Sequence, residues 1–94
     1  VSLTVVYKAP GLLPEVREVG SDLPSLQALV GGYIEVVKHF GKMLVIANED
    51  GLRLGLARNI GSLVGPVFVV GQRGENFRSL TPHEQAQAIR ALIR

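Results

Sequence analysis

The chain has no cysteine among its 94 residues. Disulfides, thiolate nucleophiles, iron–sulfur clusters and cysteine-based zinc sites are therefore excluded. A secreted domain of this size often relies on disulfides, so their absence points to the cytoplasm. No run of ~18 apolar residues occurs, so no membrane-spanning helix is expected. The first residues show no basic stretch followed by a long apolar run, and no signal peptide is expected. Aromatic residues make up only 5%, which leaves a core of Val, Leu and Ile. An excess of one charge is also missing. The first 48 residues carry four basic and four acidic side chains, and the last 46 carry six arginines against four acids. A net charge of +2 is not the footprint of a typical DNA-binding domain, so nucleic acid is disfavoured as a partner.

Catalytic and cofactor signatures are missing too. Neither the Walker spacing nor G-x-G-x-x-G occurs, and no serine stands in G-x-S-x-G. Gly71-Gln72-Arg73-Gly74 lacks the Lys-Ser/Thr of a phosphate loop and reads as a hairpin turn. His39 and His83 are the only imidazoles, and neither has a partner at metal-ligand spacing. No catalytic residue, metal or cofactor is expected, and the chain does not read as an enzyme.

What is present is 47% apolar and patterned for one folded unit, residues 1–94. Val1-Leu3-Val5-Tyr7 alternates with polar residues, the period of a half-buried strand. Glu15–Val19 is a polar strand suited to a sheet edge. Ser21 or Asp22 can cap a short helix whose apolar face is Leu23, Leu26, Leu29 and Val30, and Gly31-Gly32 stops it. Tyr33–Lys38 is a β-branched strand, and Phe40-Gly41-Lys42 a turn. Met43–Ala47 is apolar throughout, as in a central strand covered on both faces. Val67–Val70 repeats that pattern, Gly71–Asn76 reads as a polar loop, and Phe77–Leu80 as a last short strand. Thr81-Pro82-His83-Glu84 starts a helix with a capping box, and Ala86, Ile89, Leu92 and Ile93 form its apolar stripe. His83, Gln87, Arg90 and Arg94 share its other face. The expected fold is α+β, a mostly antiparallel sheet of five to six strands with two helices in the order ββαββ…ββα, both helices on one face.

The least regular stretch is Glu49–Gly65, with four glycines, Arg53, Arg58 and Asn59. Long irregular segments in small domains are often functional. It reads either as a loop for a ligand or partner, or as a short strand Leu52-Arg53-Leu54 with a turn and solvated arginines. Its leucines, with Ile60 and Val64, suit a core or an interface.

The run from Ser25 to Val37, containing Val30-Gly31-Gly32-Tyr33-Ile34-Glu35-Val36-Val37, resembles a family of small domains of unknown function. These occur mainly in phages, plasmids and bacterial genomes. The likeness continues through Asn48-Glu49-Asp50-Gly51, Leu54-Gly55-Leu56, Asn59, Gly65–Gly71, Phe77 and Ser79-Leu80-Thr81. It implies a stand-alone accessory domain carried by mobile elements, and brings no catalytic residues. Its shared residues suggest one polar site near Tyr33 if Glu35, Asn48, Glu49 and Asn59 meet in space.

The leading expectation is a non-enzymatic binding or interaction module, forming a homodimer through strand edges or sheet faces. The candidate site residues are Tyr33, Glu35, Asn48, Glu49, Arg53, Arg58 and Asn59. One alternative is a small-ligand domain for a nucleotide-like molecule, using Tyr33, Asn48, Glu49, Arg53 and Asn59. Another is weak nucleic-acid binding through Arg53, Arg58, Arg90 and Arg94.

Overall fold

The two apolar runs sit side by side at the centre of one sheet. The computed structural model describes residues 1–93. Among them are six strands and two helices: β1 (Ser2–Lys8), β2 (Glu15–Gly20), α1 (Leu23–Val30), β3 (Ile34–Phe40), β4 (Met43–Asn48), β5 (Val67–Arg73), β6 (Asn76–Arg78) and α2 (Pro82–Leu92). Every strand pairing is antiparallel, in the order β2-β1-β5-β4-β3, with β6 also on β5. The fold is α+β in the expected element order. Polar β2 is at one edge, and β3 is at the other.

The helices do not share a face, which corrects that expectation. Met43, Val45, Ala47, Val67, Val69 and Val6 point to one side, where Ala88 and Leu92 of α2 cover them. Leu44, Ile46, Phe68, Val70, Leu3 and Val5 point to the other, where Leu26 and Val30 of α1 cover them. The reason lies in the runs themselves. Successive strand residues alternate sides, so an unbroken apolar run places half its area on each face. Each fully buried Val, Ile or Phe contributes about 1.5–3 kcal/mol, so neither face can be left wet.

Asp22 caps α1, its Oδ2 accepting from the Ser25 amide at 3.1 Å. Gly31, at φ 76°, ends the helix and donates to the Gln27 carbonyl at 2.8 Å. The helix then carries the chain from edge strand β2 to the opposite edge strand β3. The β3–β4 and β5–β6 hairpins both close on two residues, Gly41-Lys42 and Gly74-Glu75. Each has glycine at positive φ in the first turn position, the requirement of a type II′ turn. The expected polar loop from Gly71 to Asn76 is thus mostly strand, and the last strand is Asn76–Arg78 rather than Phe77–Leu80.

In α2 the buried positions are Ala88 and Leu92, with Ile89 half-buried. Ala86 and Ile93 are exposed, so the stripe is rotated from the expected one. Leu80, just before the cap, is buried against the same core and turns the helix onto β1.

Candidate functional site

The connector between β4 and β5, residues 49–66, starts from a buried amide. Asn48, 6% exposed, ends β4. Its Nδ2 donates to the Val30 carbonyl at 3.0 Å, and its Oδ1 accepts from the Asp50 amide at 2.7 Å. One side chain thus ties the end of α1 to the first turn of the connector. This contact explains the second glycine of Gly31-Gly32. A Cβ on Gly32 would lie 2.8 Å from Asn48 Nδ2, so only glycine lets the amide sit there. The Glu49 amide donates to the Tyr33 carbonyl at 2.8 Å, completing the junction.

Gly31, Gly32, Tyr33, Asn48 and Glu49 therefore meet. Asn59 does not join them. It is pinned to β1 instead: Nδ2 donates to the carbonyls of Lys8 at 2.9 Å and Gly65 at 2.8 Å, and Oδ1 accepts from Lys8 Nζ at 2.6 Å. Lys8 is only 8% exposed, so the amide also provides a partner for a buried cation. Residues 52–54 form turns rather than the strand that was one reading, with Leu54 donating to the Asp50 carbonyl and Gly55 to the Leu52 carbonyl. Arg53 pairs with Asp50 at 3.2 Å in an exposed contact. Arg58 is exposed and bridges by its backbone to Val64.

Two cavities adjoin this region. Glu35, Asn48 and Glu49 line the smaller, of ≈120 Å³, together with Leu52, Ser62 and Val64. Tyr33, Arg53, Arg58 and Asn59 do not line it; the Tyr33 ring is exposed. The larger, of ≈510 Å³, is an apolar groove between β3, the connector and the end of α2. Its walls include Val37, Phe40, Val45, Ile60, Leu63, Ala91 and Leu92, with Lys38 at the border. A β-bulge contributes to it. Val36 pairs with Ile46 but Lys38 pairs with Val45, and Val37 between them packs on the α2 side. Of these groove residues, only Ile60 and Leu63 had been read from sequence as suited to a core or an interface; none was among the candidate site residues. Their signal was the apolar content of an irregular segment, which does not separate core from groove.

A second polar centre also went unread. Arg78 on β6 forms two hydrogen bonds with Glu84, from Nη1 at 2.7 Å and Nη2 at 2.9 Å. Its remaining N–H groups reach the carbonyls of Gln72, Ser79 and Lys42. Glu84 Oε1 also accepts from the Thr81 amide at 3.0 Å, and Thr81 Oγ1 accepts from the Glu84 amide at 3.2 Å. Arg78, followed by the Thr81 amide, lowers the Glu84 carboxyl to about 2. Gly71 makes room for this, since a Cβ there would lie within contact distance of the guanidinium and displace it. With all its donors used, Arg78 serves the fold.

Comparison with known proteins decides the family. The chain belongs to the family described as Domain of unknown function (DUF3846), whose profile matches residues 3–93. The match takes in all the described strands and helices except Ser2 of β1, together with the junction of Gly32 with Asn48 and both cavities. No curated protein and no solved structure matches the chain. Among the described residues, no helix is long and apolar enough to cross a membrane.

Proposed function

We propose that this domain is a non-catalytic accessory binding module of the cytoplasm, of mobile-element origin, that binds a protein partner in the groove between β3, the connector and α2. The observation that carries the reading is the groove itself: ≈510 Å³ lined mainly by apolar side chains beside an open strand edge. Asn48 and Asn59 are already engaged in holding backbone and Lys8, which removes them from a ligand site. The small cavity borders on two carboxylates, which would repel the phosphates of a nucleotide. Nucleic-acid binding has less support, because Arg53 is paired with Asp50 and the net charge is only +2; Arg58 and Arg90 are exposed, and Arg94 lies outside the described residues. Self-association would use the outer strands β2 and β3 or the groove beside β3, since a helix packs on each face of the sheet.

Selection from a displayed random-peptide library tests the reading. Ala91 is exposed on the groove wall, so Ala91→Arg fills the groove without disturbing the core. Enriched peptides are expected to lose at least about tenfold in affinity for that variant. Failure to enrich any peptide, or enrichment of peptides indifferent to Ala91→Arg, would reject the groove as the binding surface.

A further inference from the structure

The groove and the small cavity are neighbours: Val37, Ser62 and Leu63 line both. Together they form one run beside β3, and charge is uneven along it. Glu35 and Glu49 border the small end, and Lys38 borders the groove. All three are exposed, and among the described residues none of them belongs to an ion pair. The bulge leaves Glu35 opposite Ala47 and Lys38 opposite Val45, two residues apart on β4, so at about 3.3 Å per residue they stand roughly 7 Å apart along the sheet, the reach of two residues of an extended chain. β3 is an outer strand, with one side of its backbone unpaired.

The geometry points to a partner of one chemical kind: a short extended protein segment with a bulky apolar side chain for the groove, a lysine or arginine set toward Glu35 and Glu49, and an acidic residue set toward Lys38. This rests on the groove being the binding surface and adds a charge rule to it. The open edge offers backbone hydrogen bonds to an added strand, the mode known as β-augmentation. The bulge at Val37 breaks the regular edge there, so register is set by side chains: one apolar anchor and two charges of opposite sign. The unpaired carboxylates favour a cation at one end and disfavour the same segment with its charges exchanged.

Fluorescence anisotropy with labelled synthetic peptides tests the rule. The probe is a short threonine-rich peptide with one phenylalanine flanked by lysine and glutamate, made in both chain orders. One order is expected to bind, and exchanging its lysine for glutamate should weaken it about tenfold. The double variant Glu35→Gln, Glu49→Gln alters only exposed side chains. It should keep the melting temperature and erase that discrimination. Lys38→Glu should reverse the preference at the acidic position. If the phenylalanine peptides bind regardless of these charges, the charge rule is wrong and the groove reading stands. If no peptide binds up to about 1 mM, both fall. If light scattering instead finds a species of about 20 kDa that Ala91→Arg dissociates, a second copy occupies the groove and the peptide partner is overturned.

Discussion

The connector and the β6–α2 corner solve the same problem by different means. Both are stretches of non-repetitive backbone joined to the sheet through side chains. In the connector two neutral amides do this, Asn48 at the start and Asn59 in the second half, each bonded mainly to backbone carbonyls and amides. In the corner an ion pair does it, with Arg78 and Glu84 joined twice and both also bonded to backbone. The consequence is a difference in what is left over. Every charge in the corner is engaged. Around the connector, Glu35 and Glu49 beside the small cavity and Lys38 beside the apolar groove belong to no ion pair among the described residues. A surface with spare charge and spare apolar area is where a partner gains most by binding.

Substitutions can break or sharpen that contrast. The largest effect is expected at Asn59→Leu, which removes three hydrogen bonds and leaves the Lys8 ammonium buried without its partner. A loss of about 3 kcal/mol is expected, read as a fall of roughly 15 °C in melting temperature. A loss below 1 kcal/mol would mean that the connector is held by its apolar contacts instead. Gly71→Ala comes next, at about 2 kcal/mol, because the new methyl displaces the guanidinium. The same change made in an Arg78→Ala background should cost much less, and additivity of the two would contradict the close packing.

Glu84→Gln should cost about 1–2 kcal/mol at neutral pH through the weakened ion pair and capping box. Its dependence on pH identifies the cause. The Glu84 carboxyl is depressed from 4.5 to about 2, so its stabilisation is complete above pH 4.5 and fades as pH falls toward 2. Denaturant titrations should show the gap between wild type and variant closing over that window, and a constant gap would assign the effect to packing. The smallest change is expected at Arg53→Ala. Its exposed pair with Asp50 should contribute less than about 0.5 kcal/mol, within the error of a thermal melt.

The capping box was legible because all its members fall within four residues: Thr81 and Glu84 are close whatever the rest of the chain does. The central strands were legible because Met43–Ala47 and Val67–Val70 are too apolar for anything but burial on both sides. The same runs held the clue that one helix could not cover the sheet. Gly31-Gly32 and Asn48 were marked as shared features, but the reason for the second glycine appeared only with the Asn48 side chain above it. Asn59 was marked as well, yet its partner Lys8 is 51 residues away, and no spacing rule reaches that far. Arg78 escaped notice because an arginine near a helix start has no distinctive pattern. It is set apart by the bare backbone of Gly71 opposite it, across a hairpin.

By itself, the amino-acid sequence determined the α+β class, the order of elements, the polar edge at β2, the helix caps, and the absence of cysteine chemistry. Each of these follows from local propensity, periodicity or composition, which act over a few residues. Tertiary structure alone decided which face each helix covers, which amides lock the connector, and that Val37, Phe40, Ile60 and Leu63 surround a groove with Lys38 at its rim. These depend on contacts between residues far apart in the chain. An apolar side chain carries the same signal whether it fills a core or lines a groove, and only packing tells the two apart.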